Sequence, residues 1–133
     1  MRSFVVHYLS DEWISAVAAE IAGDTALADV THSHSVAVVQ VVNDTPFGDV
    51  AYHLVCRDAK VSFGKGAVPC DVTFTQNYAT AVGVALARIN AADAFISGKV
   101  RFSGDHEKVI AAQPLFAALD AVFARVRART TFE

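Results

Sequence analysis

Two histidines, His32 and His34, are the side chains of this sequence whose type and spacing come closest to a reactive site. In an extended segment the side chains of residues i and i+2 point to the same side, so the two imidazoles could share a metal ion. The sequence offers no clear third ligand, and Asp29 and His53 would have to approach through folding. The alternative is a solvated loop leading into the first strand of a sheet, and the missing third ligand favours that loop.

Nucleophilic and acid–base catalysis have little support in the sequence. There is no G-x-S-x-G turn, and Ser97 and Ser103 each precede a glycine without a base nearby along the chain. No predicted helix carries the pair of carboxylates on one face that general acid–base catalysis needs. We therefore predict a protein that is not an enzyme, with no catalytic residue and no cofactor.

The two cysteines indicate a reducing compartment. Cys56 and Cys70 form neither a C-x-x-C motif nor a disulfide framework, and each lies in a run typical of a strand. We expect both to be small buried side chains. The N-terminus lacks an apolar stretch long enough for a secretory signal, so the expected location is the cytoplasm.

The composition sets the problem that the fold must solve. The chain has 133 residues, of which 53% are apolar and 19% charged, and this length favours one domain over residues 1–133. A formal charge of −3 without a basic cluster argues against nucleic-acid binding. The strongest apolar stretch, Tyr78–Ile89, is too short for stable insertion into a membrane. The apolar surplus must be buried in a core, in a partner or around an apolar ligand.

Periodicity divides the first part of the chain into one helix and four strands. Ser10 predicts an N-cap, and Trp13, Val17 and Ile21 recur at helical spacing before Gly23 ends the helix. Alternation of apolar and polar residues then predicts an antiparallel meander. Its strands are expected over Ser35–Val42, Val50–Arg57, residues 61–63 and Cys70–Thr75.

The second part of the chain predicts helices around one further strand. Asn77 caps a helix over Tyr78–Ile89 that is apolar nearly all round, as in a helix that is buried or lines a cavity. A short helix ends at Gly98, a strand follows over residues 99–102, and Pro114 interrupts the last helical region. The element order predicts an α+β fold with helices on one face of the sheet. The alanine-rich helices either pack closely or leave room for an apolar ligand.

One segment connects these elements to a known family. Residues 93–105, DAFISGKVRFSGD, resemble the signature AF-x-x-GK-hydrophobic-x-hydrophobic-x-GD of the sterol carrier protein 2 (SCP-2) family. Residues 70–75, CDVTFT, are similar to its D-V-T strand, and the opening YLSDEW looks like the start of small stand-alone bacterial members. The resemblance extends from about Tyr8 to Val126 and identifies the chain as a suspected member of this family.

The resemblance implies a five-stranded, mostly antiparallel sheet with helices packed on one face around an apolar tunnel. It implies non-catalytic binding or transfer of a fatty acid, an acyl-CoA or a sterol. It also implies that the matched glycines form turns beside the last strand and that Asp105 caps the final helix. The C-terminal residues 129–133 lack a peroxisomal address, which fits a bacterial cytosolic protein. The expected ligand-binding region comprises nine apolar residues: Phe74, Val82, Leu86, Phe95, Phe102, Leu115, Phe116, Leu119 and Phe123.

Two other functions remain alternatives to lipid binding. The first is an interaction module with the same fold and no physiological ligand, whose apolar run Ser35–Val42 or helix Tyr78–Ile89 would cover a homodimer or partner surface. The second is a small cone-shaped α+β enzyme of the ketosteroid-isomerase type. Unlike this chain, that enzyme class usually places several helices before its sheet. It also needs an Asp or His at the pocket floor.

Overall fold

The computed structural model describes residues 5–32, 35–57, 60–86 and 88–132. The helices are α1 (Asp11–Ala22), α2 (Thr25–Thr31), α3 (Tyr78–Ala85), α4 (Ala91–Ile96), α5 (His106–Ala111) and α6 (Gln113–Arg127). The strands are β1 (Val6–His7), β2 (Val36–Thr45), β3 (Gly48–Arg57), β4 (Lys60–Lys65), β5 (Val72–Asn77), β6 (Val100–Gly104) and β7 (Thr130–Thr131). The predicted α+β class is confirmed.

The main sheet has five strands in the order β4–β3–β2–β5–β6. The pair β2–β5 is parallel, whereas β2–β3, β3–β4 and β5–β6 are antiparallel, so the sheet is mixed and mostly antiparallel. The predicted antiparallel meander is wrong at its last step, because β5 joins β2 in the centre rather than β4 at the edge. Gly66, with φ 97°, leads the chain out of β4, and Asp71 fixes the start of β5 through its hydrogen bonds to the backbone of Ala37.

The helices cover the face of the sheet that carries the large apolar side chains. Val38 on β2 and Leu54 on β3 lie opposite each other on this face and join the core with Val17 of α1 and Val122 of α6. Val39, on the other face of β2, is also only 2% exposed. The central strand is therefore buried on both faces, which accounts for its nearly continuous apolar sequence.

Side-chain caps set the beginnings of the helices as the sequence predicts. The Ser10 hydroxyl accepts from the Trp13 amide, the Asn77 side chain from the Thr80 amide, and the Asp105 carboxylate from the amides of residues 107 and 108. Asp105 caps the short helix α5 rather than α6, whose first turn contains Pro114.

Helix α3 ends at Ala85, four residues before the predicted end at Ile89. The amides of Arg88 and Ile89 both donate to the carbonyl of Gly83, so the chain folds back over the last turn. A Cβ at Gly83 would lie 2.4 Å from Cδ1 of Ile89. The glycine thus makes room for Ile89, which turns back on the helix instead of continuing it.

Two features have no counterpart in the sequence-based expectation. Helix α2 follows α1 directly, and β1 pairs in parallel with β7, so that residues near both ends of the described chain form a second small sheet. Two-residue strands have no periodicity to detect. The expectation for the cysteines is half right: Cys56 is buried, but Cys70 is exposed because it precedes β5 in the crossing segment 66–71.

Candidate functional site

A cavity of about 480 Å³ lies between the helix-covered face of the sheet and helices α1, α3 and α6. Small side chains create it: Ala81 and Ala85 of α3 and Ala124 of α6 line the space where larger residues would fill it. The alanine-rich texture of the two helices therefore leaves volume at these three positions.

Aromatic side chains form most of the apolar wall. Ring centroids lie 5.1 Å apart for Tyr8 and Trp13, 5.5 Å for Trp13 and Tyr52, and 4.9 Å for Tyr8 and Phe132. All four residues line the cavity together with Phe123. A cluster of mutually packed rings gives the cavity a stiff wall, because each ring restricts its neighbours.

The backbone between β1 and α1 places Tyr8 in this wall. Leu9 adopts φ 67° in the left-handed region, and Leu9 and Tyr8 are 2% and 7% exposed. Consecutive side chains of an extended strand point to opposite faces, so only one of them could be buried without such a turn. The left-handed residue therefore allows both neighbours to point inward, at a conformational cost that the burial of Leu9 offsets.

Polar groups stand on the sheet side of the cavity. Gln40 of β2 and Gln76 of β5 line it, and the Gln76 amide donates to the Gln40 side-chain oxygen over 3.2 Å. Burial raises the pKa of Tyr52 well above its usual range. Burial also raises the pKa of Tyr8, and the nearby Tyr52 and Tyr78 hydroxyls add to that increase. Both phenols therefore stay protonated and neutral at physiological pH.

Charged residues are confined to the rim of the cavity. Asp120 and Arg127 of α6 line it, and both are exposed. Arg127 donates from Nη1 to the carbonyl of Ala85 over 2.9 Å, which ties the end of α6 to the end of α3. The interior is therefore neutral, and the charges face solvent at its margin.

Six of the nine predicted ligand-binding residues belong to the core between sheet and helices or pack against it: Phe74, Val82, Leu115, Phe116, Leu119 and Phe123. Phe123 lines the cavity. Leu115 and Leu119 are fully enclosed in the core. Half-buried positions are occupied by Phe74, Val82, Leu86, Phe102 and Phe116. The ring centroids of Phe74 and Phe102 lie 5.4 Å apart. The side chain of Phe95 lies outside the described part of the chain.

Sequence reasoning missed the polar members of the cavity, although signals for two of them exist. Gln40 is the one polar residue inside the run VAVVQVV, and Gln76 continues the inward alternation of Val72 and Phe74. Three further lining residues, the polar Tyr8 and Thr130 and the apolar Phe132, had no signal in the strand or helix patterns. They reach the cavity through the pairing of β1 with β7.

The metal site considered for His32 and His34, against which the sequence argues, has no support among the described residues either. His32 is exposed at the end of α2, and His34 lies outside the described ranges. The His53 ring contacts Gly66 on the face of β3 opposite to Tyr52 and Leu54, with Nδ1 2.9 Å from the Gly66 carbonyl oxygen. Within the described ranges, no three His, Cys, Asp or Glu side chains are grouped as metal ligands would be.

The described helices include none that combines the length and apolarity of a membrane span.

The fold and the cavity define a class of small α+β protein, in which one sheet and its covering helices enclose a mainly apolar space. The chain belongs to the SCP-2 sterol transfer family, whose model matches residues 11–117. The family resemblance and the implied α+β fold with a five-stranded, mostly antiparallel sheet are therefore confirmed.

Solved structures of sterol carrier proteins share this fold at low sequence identity. A possible sterol carrier protein from Thermus thermophilus is 17% identical, with a TM-score of 0.66 over 97% of this chain and 94% of its own. A crystal structure of sterol carrier protein 2 is 17% identical, with a TM-score of 0.64 over 91% and 98%. The apo form of sterol carrier protein 2 from Yarrowia lipolytica is 16% identical, with a TM-score of 0.62 over 86% and 88%. A search of curated proteins finds no match.

Proposed function

We propose that this protein binds an apolar lipid in the cavity between sheet and helices and carries it between sites. The observation that supports this most directly is the cavity of about 480 Å³, walled by aromatic rings and alanines, in a chain of a sterol transfer family. Its size lies within the usual range for small-molecule sites. Burial of each methylene contributes roughly 0.8 kcal/mol, so a long hydrocarbon chain would bind firmly without catalytic groups.

The proposed ligands are a fatty acid, the acyl part of an acyl-CoA, or a sterol. We further propose that the chain acts as one domain, in the cytoplasm, without a cofactor and without catalysing a reaction on its ligand. The neutral interior supports this, since it holds no charged group to serve as acid, base or metal ligand.

We also propose that a long ligand extends from the cavity along the interface toward the other predicted residues. Phe123 and Phe116 lie on the inner side of the same helix, and Gln76 is two residues beyond Phe74 on β5. A chain leaving the cavity in this direction would meet Phe74 and Phe116, which are half-buried. Phe116→Ala should then weaken a long acyl chain more than a short one, measured by displacement of a fluorescent fatty acid.

Filling the cavity tests the proposed function. Ala85→Phe places a ring in the cavity from α3, whereas Ala79→Phe adds the same ring at an exposed position of that helix. We expect Ala85→Phe to weaken the binding of a fluorescent fatty acid at least tenfold and Ala79→Phe to leave it unchanged. Native mass spectrometry of mildly purified protein should show a bound lipid in the wild type and in Ala79→Phe only.

Equal affinities for both variants would place the ligand elsewhere, and the absence of saturable binding by the wild type would contradict lipid binding. Circular dichroism checks that Ala85→Phe is folded, since an overpacked site can cost 1–3 kcal/mol. If the wild type shows no saturable binding, the interaction module becomes the better account. Its interface would then lie elsewhere than on its two motivating features, because β2 is the central strand and α3 packs on the sheet.

A further inference from the structure

Three buried side chains line the cavity with polar groups that have no hydrogen-bond partner among the described residues. Tyr8, Trp13 and Tyr52 are 7%, 4% and 8% exposed. The described residues supply no hydrogen bond to the Tyr8 hydroxyl, the Tyr52 hydroxyl or the Trp13 indole N–H. No sealed side-chain nitrogen or oxygen in the described ranges lacks a partner, so these three groups open to the cavity.

Unpaired polar groups in an apolar wall are costly unless a ligand or water pairs with them. A buried donor or acceptor without a partner costs about 1–3 kcal/mol, whereas phenylalanine would provide the same ring at the two tyrosine positions without that cost. Three such groups around one space therefore point to a bound partner. The Gln40–Gln76 pair adds amide groups on the sheet side of the same cavity.

We propose that this cluster binds the uncharged polar end of the lipid, as in the hydroxyl group of a sterol or a long-chain alcohol, with that end pointing inward. The proposal rests on the lipid-binding function above and adds the chemistry and direction of the ligand. A hydroxyl group can accept from the indole N–H and exchange hydrogen bonds with the two phenols.

The neutrality of the cluster discriminates against an ionised end group. Tyr8, Trp13, Tyr52, Gln40 and Gln76 carry no charge, and Arg127 lies at the exposed rim. A carboxylate placed among them would lose its water without gaining a positive partner, which is far more costly than burying a hydroxyl. A fatty acid would therefore keep its carboxylate toward the rim and not use the cluster.

Removal of single hydroxyl groups tests the proposal. We compare Tyr8→Phe, Tyr52→Phe and the double variant with Tyr78→Phe, whose hydroxyl already donates to the Phe132 carbonyl and which does not line the cavity. The probes are 1-hexadecanol, hexadecane and palmitate, delivered from cyclodextrin and measured by displacement of a fluorescent lipid. Trp13 is the only tryptophan, so its emission reports directly on the site.

We expect Tyr8→Phe and Tyr52→Phe each to weaken hexadecanol about three- to tenfold, the loss of one hydrogen bond. The affinities for hexadecane and palmitate should stay within about twofold, and Tyr78→Phe should change none of them. Hexadecanol should shift the Trp13 emission of the wild type more than hexadecane does.

Two different failures can be separated. If the wild type binds the probes but the double variant binds hexadecanol as tightly as the wild type, the cluster does not hold the polar end. If the double variant weakens all three probes equally, the hydroxyls only shape the cavity and the proposal is again wrong. If no probe binds the wild type saturably, lipid binding itself fails.

Discussion

Asp71 connects three elements through one carboxylate. Its Oδ2 accepts from the Ala37 amide of β2 over 2.8 Å, and its Oδ1 lies 3.3 Å from Nζ of Lys108 in α5. The backbone hydrogen bond from Ala37 lowers the pKa of this carboxyl group, and Lys108 lowers it further. The ionised form therefore stabilises the folded chain at the point where β5 enters the sheet.

Because the pKa of Asp71 is lower in the folded than in the unfolded state, its contribution is complete above the unfolded pKa of about 3.9. It is lost as the pH falls through the folded value. We expect Asp71→Asn to lower the free energy of unfolding at neutral pH by about 1 kcal/mol and to flatten its decrease in acid. Urea unfolding at several pH values measures both. The exposed Asp29→Asn variant should match the wild type, and an unchanged acid profile in Asp71→Asn would contradict this role.

Gly104 of the family signature is required by its backbone and by its surroundings. Its φ is 126°, and a Cβ there would lie 2.2 Å from the Asp71 carbonyl oxygen. Gly48 also has a positive φ, 83°, but a Cβ there meets nothing within 4 Å. We expect Gly104→Ala to lose clearly more stability in urea than Gly48→Ala, whose loss reflects conformation alone, about 1 kcal/mol. Similar losses would show that the contact with Asp71 relaxes.

At the scale of elements, the pairing of β1 with β7 brings Phe132 onto the cavity wall. The Tyr8 amide donates to the Thr131 carbonyl over 2.9 Å, and the Phe132 ring lies 4.9 Å from that of Tyr8. The last described residues therefore close one side of the cavity. Neither strand would be stable alone, so the site depends on the contact between them.

Phe132→Ala should reduce the free energy of unfolding by about 1–3 kcal/mol, since the ring is half-buried, and should weaken lipid binding. Phe47→Ala removes the same ring from a position that is 52% exposed and should change stability by less than 0.5 kcal/mol. Thermal unfolding and lipid displacement measure the two effects. Loss of stability without loss of binding would remove Phe132 from the ligand site.

At the scale of the whole molecule, the ligand should act as part of the core. A lipid that binds only the folded chain adds about 2.7 kcal/mol of stability at a concentration of one hundred times Kd. For a domain of this size that corresponds to a rise in Tm of a few degrees. Differential scanning calorimetry with increasing lipid should show this rise, and Ala85→Phe, with its cavity filled, should not show it. A rise in Ala85→Phe equal to that of the wild type would place the ligand outside the cavity.

The apolar surplus of the sequence has its explanation mainly inside the chain. The run Ser35–Val42 forms the central strand, and Tyr78–Ala85 packs on the sheet. Neither offers the open apolar surface that the homodimer alternative needs. We expect a monomer in sedimentation experiments at micromolar concentration. A stable dimer would show that another surface, such as that around the exposed Ile96 and Ile110, is covered by a partner.

Local sequence determined the helix caps, the apolar stripe of α6 and the signature around Gly98 and Gly104, because each depends on neighbours only a few residues apart. It therefore predicted the family and the α+β class, whereas the ligand-binding role of the nine apolar residues stays a prediction. Tertiary structure alone decided that β5 joins β2, that β1 meets β7, and that Tyr8, Trp13, Tyr52 and the Gln40–Gln76 pair surround one cavity. These contacts join residues far apart in the chain, where periodicity carries no information about which groups share a space.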